Sequence, residues 1–268
     1  GKTMAFAFSP NSTGDSEVFV YDKNPALSLN SLEEVVNDVN FVFVCVPTPM
    51  NSEGRIVLKY VESVFNEVNE VLNNDPIFII KSTVIPGTTK DLQEKHKNNE
   101  IIFSPEFLTE RSARLDVLTQ NSAILGGSKT NTKQVRKLYE SRFYGLQVIE
   151  TDSTTAEFIK YLSNVFFASK VSFMNEMKLV ADKMGVDWET AVHGLVSNGR
   201  VANTHLQVPG PDGKLGFGGT CFAKDICSFI NFAEDLGVDL NVVKGAWKTN
   251  IAVREEKDWE EKKGRAVE

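Results

Sequence analysis

From Val18 to Glu150, short runs of β-branched and aromatic residues alternate with amphipathic stretches of helical length, and at Thr151 the alternation stops. Parallel strands cannot be joined by a tight turn, so strand-like runs separated by helix-length segments specify a parallel sheet with crossover helices. The strands predicted are Val18–Tyr21, Phe41–Val46, Ile77–Ser82, Ile101–Ser104, Ala123–Gly126 and Gln147–Glu150. Between them, helices are expected at Leu32–Val36, Leu58–Leu72, Thr88–Lys95 and Thr132–Tyr144. Phe41–Val46 is apolar at every position, the pattern of a central strand covered on both faces. Beyond Thr151, apolar residues at helical spacing predict one long helix over Thr155–Met184, then Trp188–Ser197, Ala223–Leu236 and a last helix from Asn241. The expected fold is therefore α/β, a Rossmann-like parallel-sheet domain over residues 1–150 followed by an all-helical domain over 151–268.

Composition narrows the function classes. A net charge of -7 offers no general attraction to nucleic acid or anionic lipid. Three widely spaced cysteines, Cys45, Cys221 and Cys227, form neither a disulfide framework nor a zinc pattern, and a reducing, cytoplasmic setting is expected. His96, His193 and His205 share no metal-ligand spacing, so no metal is expected. The longest apolar runs fall far short of the roughly 20 residues that span a bilayer, and Gly1-Lys2-Thr3-Met4 does not open a signal peptide. The largely charged run Glu255–Lys263 is expected to be a solvated helix end or tail.

Several segments carry chemistry. Val18–Asp22 reads as a strand closed by a carboxylate, the place where a dinucleotide-binding fold holds the adenosine ribose; a surface Asp is the plainer reading. Gly1 could be the last glycine of a phosphate-binding turn, with Lys2–Phe8 as the helix behind it. Val46-Pro47-Thr48-Pro49 and Lys81-Ser82-Thr83-Val84 put small hydroxyl residues at the carboxyl edge of the sheet, where ligands of such sheets sit. In Glu106-Phe107-Leu108-Thr109-Glu110 either carboxylate could act as a general base if desolvated, although a solvated pair is the commoner outcome. Lys160 and Asn164 lie four residues apart on one predicted helix, and could either hold an oxyanion or stand on the surface. Last comes a loop with Gly210, Gly213, Gly216, Gly218 and Gly219, rich in unhindered backbone N–H groups and leading into Cys221. At a helix start beside Lys224, that thiol should be acidified and nucleophilic, with Asp225 one turn on. Cys45 is expected to be buried in its strand and Cys227 to pack on the helix after Cys221.

In this order the segments resemble the UDP-glucose/GDP-mannose dehydrogenase family from about Glu17 to Glu256. The resemblance implies NAD as cofactor and a four-electron oxidation of a nucleotide sugar's C6 alcohol to a carboxylate. UDP-glucose leads as substrate, with GDP-mannose and a UDP-N-acetylhexosamine behind it. It implies Cys221 as the covalent nucleophile, Lys160 and Asn164 as oxyanion donors, Asp225 as proton handler, and Glu110 with Thr83 in thioester hydrolysis. The cofactor side would comprise Gly1, Asp22, Lys23, Pro47, Thr48, Pro49, Thr83 and Lys224. The substrate side would comprise Glu106, Phe107, Leu108, Lys160, Asn164, Arg200 and the loop Lys214–Gly219 with Phe217, Gly218 and Gly219. A homodimer through the long helix 155–184 is also implied. Phe222-Ala223 stands where the family commonly has Leu-Pro, and the family's first strand, glycine turn and third domain have no counterpart in these residues. Two other classes remain: a non-catalytic nucleotide-sugar-binding member, and a two-electron hydroxyacid dehydrogenase, which would not need Cys221.

Overall fold

The computed structural model describes residues 1–268. The chain divides into two compact units, Gly1–Thr48 with Leu58–Lys160, and Pro49–Val57 with Tyr161–Glu268.

The first unit is built on a five-stranded sheet in the order β1 (Phe41–Val44), β2 (Ile77–Ile80), β3 (Glu100–Phe103), β4 (Ser122–Gly126), β5 (Gln147–Thr151). All neighbours are parallel except β3 and β4, which meet antiparallel at Phe103 and Gly126. Alternate strand residues face opposite layers, as the two-residue period of a strand requires. Val42, Val44, Phe78, Ile80, Ile101 and Phe103 pack with α2 (Leu32–Asn37), α3 (Lys59–Val71), α4 (Thr88–Lys95) and Ala156. Ile77, Ile79, Ile102 and Leu125 pack on the other side with α1 (Lys2–Phe8), α5 (Ala113–Leu118) and α6 (Lys129–Arg142). Helix starts follow local chemistry: Ser31 and Glu34 exchange side-chain and backbone hydrogen bonds in a capping box at α2.

Two expectations are corrected. Val18–Tyr21 is not a strand, because Val20 spends its backbone groups locally. Its N–H donates to Asn30 Oδ1 at 3.0 Å and its carbonyl accepts from Leu29 and Asn30. Phe41–Val44 is consequently the edge of the sheet, with Phe41 and Phe43 half-buried, while β2 is the strand buried at every position.

The second unit is helical: most of α7 (Ser153–Met184), then α8 (Trp188–Ser197), α9 (Phe222–Asp235) and α10 (Asn241–Val253). Pro49–Val57 joins it as a turn closed by a Met50–Ile56 bridge, and Arg55 forks onto Asp235 at 2.5 and 3.0 Å. The tail beyond Arg254 is irregular rather than helical. Its glutamates and lysines are exposed as expected, but Asp258 is half-buried, Trp259 and Ala266 are buried and Met50 bridges Val267. No helix is long and apolar enough to cross a membrane.

Phe103 has no exposed surface. Phe103→Ala should therefore lower the unfolding free energy by about 3–5 kcal/mol, measured as a fall in urea midpoint at unchanged m-value.

Candidate active site

In the first unit, the ends of β2 and β3 are tied together by a lysine. Lys81 is 8% exposed, and its Nζ donates to Ser104 Oγ at 3.2 Å, Pro105 O at 3.1 Å and Tyr139 Oη at 3.2 Å. A buried ammonium needs such a complete set of acceptors. Sequence reasoning passed over this residue, although a cation closing a wholly apolar strand was the available signal. Ser82 ties β2 to β1, its hydroxyl donating to Val46 O at 2.6 Å and accepting from Val46 N at 2.9 Å. At this edge Thr48 is buried, Pro47 exposed and Thr83 half-buried.

Pro105 leads into Glu106, which is not a solvated carboxylate. Lys160 is 3% exposed, and its Nζ donates to Glu106 O at 2.6 Å and Oε1 at 3.2 Å and lies 5.4 Å from the Phe107 ring centre. The Leu108 N–H donates to Glu106 Oε2 at 2.6 Å. Burial pushes the Glu106 carboxyl upward, but the Lys160 charge, the Leu108 N–H and the Lys81 charge outweigh it, and the group is held below its ordinary range. Glu110 and Phe107 are exposed. On the far edge, exposed Asp22 accepts from Asn24 N at 2.8 Å through Oδ1, while Lys23 pairs with Glu67 at 2.6 Å. Gly1 is exposed at the start of α1.

In the second unit, Cys221 is exposed and occupies the N-cap of α9. One turn on, Asp225 has no exposed surface and its N–H donates to Cys221 O at 3.0 Å. Asn164 Nδ2 donates to Asp225 Oδ2 at 2.6 Å, and Lys224 forms a short ion pair with Asp225 Oδ1. Lys224 is thus turned to the carboxylate. Thr220 Oγ1 lies 3.5 Å from Cys221 Sγ.

The glycine loop differs from expectation. Its amides are not free: Gly216 N donates to Asn175 Oδ1, Phe217 N to Asn250 Oδ1 and Gly219 N to Asp258 Oδ2, at 2.7–3.0 Å. The glycines are demanded by close approach instead. A Cβ on Gly216 would sit 2.4 Å from Asn250 Oδ1, and one on Gly218 would sit 2.0 Å from Asp258 Oδ1 and 2.4 Å from Arg254 Nη2. Asn175, Asn250 and Arg254, all buried, are the residues that sequence reasoning missed, since each meets the loop from a distant element. Phe217 is buried, Lys214 pairs with Glu256, and Arg200 is exposed. Cys45 lies just past β1 and is half-buried rather than enclosed; Cys227 is half-buried, and burial pushes its thiol up to about 12. No group of three or more His, Cys, Asp or Glu side chains is arranged to hold a metal.

Because the Glu106 carboxyl is held below its ordinary 4.5, its stabilising contribution is complete above that pH and is lost as pH falls through the lowered value. The stability difference between the parent and Lys160→Met should be largest near neutrality and shrink below pH 4.5 in urea titrations. A difference that is flat with pH contradicts the pairing.

Comparison with known proteins gives these units a family. Residues 19–143 match the NAD binding domain of the UDP-glucose/GDP-mannose dehydrogenase family, and residues 154–252 match its central domain. A UDP-glucose 6-dehydrogenase of Rickettsia felis is 33% identical over 227 residues, which is 82% of this chain and 50% of that protein. The chain spans about half the length of the curated relatives it matches. A UDP-glucose dehydrogenase structure from Pyrobaculum islandicum superposes with a TM-score of 0.74 at 26% identity, covering 88% of this chain and 65% of that one. A UDP-D-ManNAc dehydrogenase from Pyrococcus horikoshii gives a TM-score of 0.71 at 25% identity, covering 88% and 59%. Two domain matches in the family's order, on a mostly parallel sheet followed by helices, place this chain in the UDP-glucose/GDP-mannose dehydrogenase family.

Proposed function

We propose that this chain carries the reacting groups of a nucleotide-sugar 6-dehydrogenase, which oxidises a C6 primary alcohol to a carboxylate with Cys221 as covalent nucleophile. UDP-glucose is the substrate we favour, ahead of GDP-mannose and UDP-N-acetylhexosamines, because UDP-glucose 6-dehydrogenases stand among its relatives. The observation that carries the reading is an exposed thiol at a helix N-cap, one turn from a buried Asn164–Asp225–Lys224 network. A solvent-facing cysteine beside a fully buried carboxylate is costly to build for packing alone.

Residues 1–150 would hold the cofactor and 151–268 the sugar and a second copy. Asp22, exposed and with Oδ2 uncommitted, suits a ribose diol, and the small residues Thr48 and Thr83 with Pro47 suit an uncharged ring. Gly1, Lys23, Pro49 and Lys224 complete our cofactor assignment, with Lys224 acting through Asp225. NAD+ supplies the hydride acceptor for both oxidations. The alcohol loses a proton and a hydride to give the aldehyde, and Cys221 sulfur adds to that carbonyl as the thiol proton leaves by way of Asp225. A second hydride loss leaves a thioester, which water cleaves to carboxylate and free thiol. Lys160 and Asn164 would stabilise the oxyanions, and Thr83 with Glu110 would direct the water. Glu106, Phe107, Leu108, Arg200, Phe217, Gly218 and Gly219 would shape the sugar side. Covalent capture keeps the aldehyde from escaping between the two oxidations.

Along α7, exposed Leu162, Phe166, Phe173, Met177, Val180 and Met184 fall within an arc of about 60° at 3.6 residues per turn. A stripe of that kind supports a homodimer through this helix. Phe166→Asp with Phe173→Asp should halve the mass seen in sedimentation; a parent that is already monomeric contradicts it.

Incubation with NAD+ and a panel of nucleotide sugars should give about two NADH per sugar oxidised, and Cys221→Ser should abolish that stoichiometry or trap an intermediate. Reduction indifferent to Cys221→Ser sinks the covalent route. Sugar-nucleotide binding without any NADH favours a non-catalytic binding member of the family.

A further inference from the structure

Helix α4 begins at a residue that cannot cap it. Gly87, at φ +104°, is its N-cap and has no side chain to receive the first N–H groups. Glu157, on the second turn of α7, does this from a distance in sequence. Its Oε2 accepts from Gly87 N at 2.6 Å, and its Oε1 accepts from Thr89 N at 2.7 Å and Thr89 Oγ1 at 2.6 Å. Glu157 has no exposed surface, so both oxygens are filled by one short stretch of backbone and its hydroxyl. The positive end of α4 favours a negative partner there.

The loop before α4 runs Ser82-Thr83-Val84-Ile85-Pro86-Gly87. At its near end Ser82 bonds twice to Val46, in its middle Val84 has no exposed surface, and at its far end Gly87 is held by Glu157. Thr83 stands between the buried Ser82 and Val84 and is itself half-buried. We propose that Glu157 is a positioning residue, one that fixes the Ser82–Gly87 loop and so sets the aim of Thr83 toward the cofactor and the water it directs. The inference rests on the reading of Thr83 given above.

The cap is held against its own electrostatics. Burial is the largest influence on the Glu157 carboxyl and raises it; the Thr89 hydroxyl, Thr89 N–H and Gly87 N–H lower it; and the charge of Asp91, on α4, raises it again, to about 7. Since the folded value lies above 4.5, the folded state prefers the protonated acid, and stability from this group falls as pH rises from 4.5 to about 7. Above that pH the carboxylate accepts all three bonds. Below it, the added proton sits opposite an N–H donor, and part of the cap is lost.

The test uses Glu157→Gln, which keeps the shape without the charge, and Glu157→Asp, which keeps the charge on a shorter arm. Protection of the Gly87 and Thr89 amides, corrected for intrinsic exchange, should drop about tenfold in the Gln variant, the loss expected for a bond to a charged group. NAD+ affinity or kcat should fall about as much while KM for the sugar nucleotide stays put, and the parent's limb near pH 7 should vanish. Glu157→Asp should recover part of each. Lost protection with parental NAD+ affinity, kcat and pH profile would reduce Glu157 to a helix cap and overturn the proposal, as would unchanged protection. A parent that makes no NADH overturns the reading of the active site instead, while the exchange and NAD+ affinity arms still decide Glu157.

Discussion

A carboxylate sealed from water must find its hydrogen-bond donors in the protein or give up its charge, and Asp225 is sealed completely. Its two oxygens are divided between the Asn164 amide and the Lys224 ammonium. That division fixes the first turn of α9 against α7, and the first turn of α9 is where Cys221 is presented. The loop leading to the cysteine is fixed in the same way, by Asn175 from α7, Asn250 from α10 and the Arg254–Asp258 pair from the tail. Buried polar groups of this kind add little net stability compared with apolar packing, but they tolerate only one arrangement.

The sheet edge follows the same rule with the charges reversed. Lys81 is a buried cation satisfied by three oxygens, two from Ser104 and Pro105 just before Glu106 and one from Tyr139 on α6. Lys160 then closes on Glu106, and Glu157, three residues earlier on α7, closes on the start of α4. Two loops at the carboxyl edge are therefore anchored by side chains from a single stretch of α7.

Much of this was legible in the sequence. Trp188–Ser197 and Thr88–Lys95 begin and end as their residue pattern predicts, although only the first is capped by its own neighbour, Asp187. Strands β1 to β4 declare themselves through apolar runs. Val18–Tyr21 has the same composition and does not pair, since strand propensity describes a surface that suits a sheet and Asn30 offered its backbone a closer partner. Placement was readable where it is local, as with Cys221 at a helix start and Asp225 one turn on. It was not readable where partners meet across long separations: Lys160 with Glu106, Asn250 with Phe217, Glu157 with Gly87. Identity along the chain records which side chains exist, whereas burial and pairing arise only when distant segments pack.

The excursion Pro49–Val57 has a consequence for how the chain is partitioned. The polypeptide leaves the first unit after Thr48, contributes Met50 to the core that holds Trp259 and Ala266, clamps Arg55 onto Asp235, and re-enters the first unit at Leu58. No single break in the backbone yields two self-sufficient pieces. A fragment beginning at Tyr161 would keep Asp235, Trp259 and Val267 but lose Arg55 and Met50, which meet them. Pro49–Val57 thus belongs with the helical unit although it lies within the first unit's span of the sequence.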